Sequence, residues 1–352
     1  MCCSRRRFSR KPACGSVDGR RSALDTRRHR YFPTDVPTFH CQESAVVTFN
    51  LFDRFQELSG CYEPSGITQL ADGRLLVVED EKKHALSVLS LRHGDIKRTE
   101  LDQPFWSWGQ GDFWKLDDLE GVTTDHLGFI YAITSHSRDD QGEERDARER
   151  LVRFRLDGDQ VKEPKVVDHL KRALTAAHPV LAAAAEIRQV KLDGGLNIEG
   201  LAISADQRRL LVGFRSPLLD GRAIIAGIEN LSAIFDDDAL PQIASPLITV
   251  DLGGKGLRGL SYVPFLEGYL LIAGPIAREK VDFELWFWNG DADSAPRRVT
   301  VPGVAGFRHA EGVAPAIIDG QPRLIIVSDE GDRQDDRFAR YLLVSPEELR
   351  IA

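Results

Sequence analysis

Polar and apolar positions alternate in short blocks along most of this chain, and five of the blocks share a pattern. They are EPSGIT at 63–68, DLEGVT at 118–123, NIEGLA at 197–202, GLRGLS at 256–261 and HAEGVA at 309–314. Their glycines, Gly66, Gly121, Gly200, Gly259 and Gly312, are 55, 79, 59 and 53 residues apart. A turn and a second apolar run follow each: RLLVVEDE, FIYAITSH, RLLVGFRS, YLLIAGP and RLIIVSDE. Amphipathic runs such as ALSVLSL, RLVRFRL, FELWFWN and RYLLVSP come next, then outer runs such as PLITVDL and RRVTVPG. Short runs rich in Val, Ile, Leu and aromatics, bounded by Gly, Asp and Pro, predict strands. Four antiparallel strands per repeat predict an all-β fold, a β-propeller of four-stranded blades. The repeat count gives five blades, or six if one long repeat conceals a degenerate blade. A β-sandwich with coincidental repeats is the competing fold.

The 79-residue interval has a local cause. Residues 168–189, DHLKRALTAAHPVLAAAAEIRQ, are Ala- and Leu-rich and predict a helical insertion broken at Pro179. ENLSAIFDDDAL predicts a second short helical excursion. After Gly312 only three strands remain, so AVVTFNLF at 45–52 is expected to supply the outer strand of the last blade and close the ring. The propeller is therefore expected over residues 44–352, behind a basic, disordered leader at 1–43.

In a propeller blade the first strand lines the central channel and the second is its hairpin partner. The start of the first and the end of the second lie at the same end of the channel. That places Glu120, Glu199 and Glu311 in one ring, with Ser65 and Arg258 at the matching positions of the other two repeats. Asp80, His136, Arg138, Arg215, Arg278, Asp329, Glu330 and Arg333 are expected behind them. The glycine that follows each ring position lets backbones pack closely near the axis.

Carboxylates converging in a narrow channel must bind a cation, pair with arginines or hold protons. In one reading Glu120, Glu199, Glu311 and Asp329 are oxygen ligands of calcium or magnesium, and the ion polarises an ester, lactone or phosphate. In a second, Arg138, Arg215 and Arg258 bind a small anionic molecule while His136 or a glutamate, Glu330 among the candidates, acts as base. In a third, acids and arginines pair and only hold the blades in register. No organic cofactor is indicated. A non-catalytic propeller that binds a ligand or a protein on its rim is the alternative to a hydrolase.

Charge narrows the partners. Residues 1–30 carry nine Arg and one Lys against two Asp, about +8, whereas the whole chain is −8. The remainder is thus near −16, which argues against nucleic-acid binding by the propeller body. No apolar stretch reaches the roughly 18 residues of a membrane span. SRRRF at 4–8 opens like a twin-arginine export signal, but polar sequence follows where an apolar stretch is needed. The cysteines, Cys2, Cys3, Cys14, Cys41 and Cys61, leave the rest of the chain without any. That distribution is not a disulfide framework and points to a reducing compartment, the cytoplasm.

The motifs LEGVT…GFIYAITSHSR, NIEGLAIS, LRGLSY, LIAGP and RHAEGVA…LIIVSDEG together resemble a bacterial family classed among domains of unknown function. In pattern the chain is also similar to the esterase-like phytase family, over about residues 44–350. The resemblance implies a propeller and suggests phosphate-ester hydrolysis, with Glu120, Glu199 and Arg138 as polar-site residues. Gluconolactonase-type propellers place a metal-ligating glutamate before a glycine, which by analogy fits Glu120 or Glu199. The export signal usual in secreted phytase-like proteins is missing, which speaks against extracellular phosphate scavenging.

Other features are expected to be structural. Phe105, Trp106, Trp108, Phe113 and Trp114 would cap a groove between blades, or stack on a ring substrate if their loop lies at the channel mouth. Trp286 and Trp288 fit blade packing. The charged segments Ser137–Arg150 and Asp332–Arg337 are expected to be solvated loops, since neither has the spacing of a calcium-binding loop.

Overall fold

Each repeat folds into one antiparallel blade in the computed structural model, and the five blades close into a ring. The structure describes residues 54–80, 85–103, 111–277 and 282–352. All of these belong to one compact unit, Asn50–Ala352. Blade 1 runs through Pro64–Gln69, Leu75–Glu79, Leu86–Arg92 and Asp95–Glu100. Blade 2 is Leu119–Thr124, Ile130–Thr134, Leu151–Asp157 and Gln160–Val167, and blade 3 is Asn197–Ile203, Leu210–Leu219, Arg222–Ile228 and Ile248–Val250. Blade 4 contains Gly256–Val263, Gly268–Gly274, Glu284–Trp288 and Arg297–Thr300. Blade 5 contains Ala310–Ile318, Gln321–Ser328 and Arg340–Val344.

Burial follows the hydrophobic pattern strand by strand. Second strands such as Leu75–Glu79 and Gly268–Gly274 are buried throughout, because both faces meet neighbouring blades. A continuous apolar run is the sequence form of such a strand. The outer strand Gln160–Val167 has one buried residue near each end, at Val161 and Val167. The hydrophobic core is accordingly divided into five clusters, one between each pair of adjacent blades.

Five glycines bring the inner strands together. Gly66 sits against the Glu120 carbonyl, Gly121 against Leu201, Gly200 against Leu260, Gly259 against the Glu311 carbonyl and Gly312 against Ile67. A Cβ at Gly259 would stand 2.3 Å from the Glu311 oxygen, and one at Gly121 would stand 2.8 Å from the Leu201 Cβ. The repeated glycine is thus a steric requirement of ring closure.

Closure itself differs in detail from the expectation. The strand that completes blade 5 is Gln56–Glu57, paired with Tyr341 and Arg340. The expected strand at 45–52 lies outside the described residues. The chain's last strand, Arg350–Ile351, adds to the edge of blade 4 by pairing with Val299 and Thr300. The N-terminal strand therefore ties blade 5 to blade 1, and the last strand ties blade 5 to blade 4.

The helical insertion forms as three pieces: α1 (Leu170–Ala177), α2 (Pro179–Ala185) and α3 (Val190–Asp193). Pro179 opens α2, where its missing N–H costs nothing. Leu170, Leu174, Leu181 and Ala184 join the core between blades 2 and 3, so the insertion is anchored. The second excursion is α4 (Leu231–Asp236). Phe113 packs edge-on against Phe154 and Trp114, with ring centroids 5.2 and 5.0 Å apart, in the core between blades 1 and 2. Phe105, Trp106 and Trp108 lie outside the described residues. Trp288 is buried against Tyr269. Among the described residues no helix is long and apolar enough to cross a membrane.

Candidate functional site

The residue before each inner glycine is a β-bulge. In blade 2, Leu119 pairs with Thr134 and Gly121 with Ile133, so Glu120 has no partner across the hairpin. The same shift isolates Ser65, Glu199, Arg258 and Glu311. A bulge bends its strand and re-aims the side chain of the extra residue. Repeated five times, it turns Ser65, Glu120, Glu199, Arg258 and Glu311 into one end of the channel, where all five line a cavity of about 330 Å³. Glu120 is therefore not opposite Thr134, as simple hairpin pairing suggests. It is an insertion in the ladder.

A second ring comes from the residues at the ends of the second strands: Asp80, Ser135, Arg215, Gly274 and Asp329 occupy equivalent register positions. Asp80, Arg215 and Asp329 line the cavity. His136 and Glu330 stand one position further on and do not. His136 is completely buried at a φ of 55°, with Nδ1 2.8 Å from the Thr134 carbonyl. Burial pushes its imidazole down to about 4, so it stays neutral. Glu330 accepts from the Ser328 hydroxyl at 3.2 Å and faces Arg308 at 3.3 Å. Successive strand residues point to opposite faces, which is why a one-residue error in register removes a side chain from the channel. Arg333 lies over the Tyr62 ring at 4.1 Å, and Arg278 is outside the described residues.

The rim comes from blade 2 and the insertion. Ser137, Arg138, Asp139 and Asp140 line the cavity beside Arg188 and Lys191 of the insertion, with Lys191 Nζ 3.8 Å from Asp140. The segment expected to be only a solvated loop thus begins as a wall of the site. Arg138 donates to the Ala185 carbonyl at 3.1 Å and pairs with Glu144 at 3.1 Å, which ties that wall to α2. Below the ring the channel narrows to about 10 Å³ between the inner glycines and Ile67, Val122, Leu201 and Leu260. That is at the limit for one water molecule, so the site is a blind well entered from the rim.

Blades 3 and 4 finish the floor with arginines. Arg215 lies 3.0 Å from Glu199 Oε1, and Asn197 donates to the same oxygen at 2.9 Å. Arg258 Nε is 2.7 Å from Glu199 Oε2, a charge contact not aligned as a hydrogen bond, and its other nitrogen contacts Glu311. Burial lowers the Arg258 guanidinium from its usual range, against the opposing charge of Glu199.

The other side lacks such donors. Glu120 is only 8% exposed and makes no hydrogen bond or ion pair among the described residues. Burial first, then the charges of Glu199, Asp118 and Asp80, holds its carboxyl well above the ordinary range. Asp80 is raised by burial and by its contact with the Asp118 carboxylate. Burial pushes Asp118 up as well, but hydrogen bonds from Asp80 and Ser135 and the charge of Arg148, 2.9 Å away, outweigh it and hold the group low. Asp329 is pushed up to about 6 by burial and by Glu63. Asp118 escaped the sequence-based candidates, although an Asp just before the bulge fits its φ of 64°, a conformation Asp and Asn tolerate. Among the described residues no group of three or more His, Cys, Asp or Glu side chains is placed to hold one metal ion.

Fold and site together define a five-bladed β-propeller with a blind, carboxylate-rich well at one end of its channel. Residues 119–341 match the family described as "Protein of unknown function (DUF3616)", and the chain belongs to that family. None of the curated proteins matches it. Several solved structures are similar at low identity. An exo-β-1,3-galactanase from Phanerochaete chrysosporium shares 11% identity over 85% of this chain and 65% of its own, with a TM-score of 0.45. The Malassezia sympodialis allergen Mala s 1 shares 12% over 81% and 79%, at 0.41. Hydrazine synthase of Kuenenia stuttgartiensis shares 10% over 82% and 88%, at 0.39. Likenesses at this level carry nothing about activity.

Proposed function

We propose that the well hydrolyses a small ester or lactone by acid–base catalysis, with Glu120 as proton donor. The observation that carries this is the unpartnered, buried Glu120 carboxyl on the floor, beside an Asp118 held ionised. Two carboxyl groups whose surroundings push their affinities for protons apart are the usual division between acid and base. Glu120 would protonate the leaving oxygen while Asp118, or a water that it orients, takes a proton from the attacking water. An anionic group on the substrate, phosphate or carboxylate, would lie at the rim near Arg138, Arg188 and Lys191, away from the acidic floor. His136 has no part in this reading, because it is sealed inside blade 2.

The calcium or magnesium ion expected from the sequence has no set of three acids placed to hold it among the described residues, and this reading does not depend on one. Of the four ligands expected from the sequence, Glu199 and Glu311 face arginines, whereas Glu120 and Asp329 have no protein donor at their carboxylates among the described residues. The arginine network on blades 3 to 5 supports a second reading, in which those acids hold blades in register and the well only binds a ligand. A screen of carboxylic esters, lactones and phosphate esters, with and without chelator, tests both. Glu120→Gln is expected to lower turnover about 10²–10⁴-fold with an unchanged circular dichroism spectrum. Turnover equal to wild type in Glu120→Gln, or turnover of none of these substrates, would remove the hydrolytic reading.

A further inference from the structure

The lining of the well is unbalanced, with eight carboxylates against five cations, and only two of those cations, Arg215 and Arg258, stand on the floor. Both are already engaged by Glu199 and Glu311. What remains on the floor is a set of carboxyl groups, Asp80, Glu120 and Asp329, contributed by three blades. A buried acceptor without a donor is costly, so a ligand that supplies donors there gains affinity.

We propose that the floor recognises the hydroxyl groups of a polyhydroxylated ligand, of the size and type of a monosaccharide or its lactone. The inference rests on the hydrolytic reading of the same well and names the class of its substrate. Three observations favour hydroxyls over other donors. Glu120 is buried and open to the cavity and has no hydrogen-bond partner among the described residues, so a ligand group that both accepts from its carboxyl and donates to it fits there. No three of these acids are placed to share one ion among the described residues, so donors must reach them separately. A single cation or a single ammonium group satisfies one point, whereas a ring of hydroxyls presents donors spread over several ångströms. The Asp80 and Asp118 carboxyls already share one proton and present acceptors to the cavity, whereas the Glu120 carboxyl, which burial holds protonated, presents a donor as well. A hydroxyl group matches both roles, and an ammonium group only one. The cavity, about 330 Å³, is at the small end of ligand pockets and closed below, which excludes a polymer threaded through the channel.

Binding of D-glucose, D-xylose, sorbitol and D-gluconate to the full chain, followed by isothermal titration calorimetry at up to about 10 mM, tests this, since a millimolar site fills at that concentration. Cyclohexanol, ethylenediammonium and calcium are the comparison ligands. Saturable binding of at least one polyol is expected, weakened about tenfold or more in Glu120→Ala and in Asp329→Ala, and largely restored in Glu120→Gln, whose amide oxygen still accepts. Circular dichroism of each variant shows whether the fold is kept. No polyol binding, equal binding by wild type and Glu120→Ala, or tighter binding of calcium or ethylenediammonium than of any polyol would overturn the inference. Polyol binding without turnover of any ester supports it and removes the hydrolytic reading. Ester turnover without polyol binding does the reverse.

Discussion

Two halves of the same floor use one backbone device and finish it in opposite ways. Blades 2 and 3 each aim a bulged glutamate into the channel, Glu120 and Glu199. In blade 3 the next position behind the bulge is Arg215, and blade 4 adds Arg258, so Glu199 is held on both sides. In blade 2 that position is Ser135, whose hydroxyl is directed to Asp118, and blade 1 adds Asp80. Glu120 is left without a donor among the described residues. The bulge decides that a side chain enters the channel, and a residue at one register position decides whether it is a strut or a free functional group. Structural acids and candidate catalytic acids are therefore indistinguishable from their own motif, since both are written as EG.

The difference can be broken from the strut side first. Arg258→Met should destabilise the protein by about 3–5 kcal/mol in denaturant unfolding, because it leaves Glu199 and Glu311 buried against each other. A loss below about 1 kcal/mol would show that these acids are not held by this arginine.

A smaller effect, read against pH, sharpens the other half. Asp329 has its proton affinity raised in the folded state to about 6, so its contribution to stability is fully present below the unfolded value of roughly 4. That contribution is lost as pH rises through about 6. Unfolding free energy should fall between about pH 4 and pH 7 by on the order of 3 kcal/mol, with a matching fall in melting temperature, and Asp329→Asn should flatten that slope and be the more stable protein at pH 7. Identical slopes in the two proteins would count against a raised Asp329.

The smallest effect marks Glu120. Glu120→Leu removes a buried carboxyl that has no partner, so stability should be unchanged or rise by about 1 kcal/mol. A loss of several kcal/mol would mean that Glu120 is a strut like Glu199, and the contrast between the halves would disappear.

The sequence by itself determined the architecture. Hydrophobic runs buried on both faces, a glycine wherever a neighbouring backbone passes too close for a Cβ, and an Ala-rich interruption broken at Pro179 are local signals, and they yielded five blades, an inner ring and a helical insertion. Glu120, Glu199, Arg258 and Glu311 were legible for the same reason, since each precedes one of those glycines. Tertiary structure alone decided the rest. His136 and Glu330 are one residue beyond the channel-facing position, a distinction set by a bulge that composition does not encode. Arg188 and Lys191 reach the rim because α1 and α2 bury leucines between blades 2 and 3, which fixes where α3 stands. The pairing of Arg258 with two glutamates joins blades 3, 4 and 5 and brings together Glu199 and Glu311, 112 residues apart along the chain. Local sequence specifies which residues line a propeller channel. Which charges meet there depends on ring closure, and closure is a property of all five blades together.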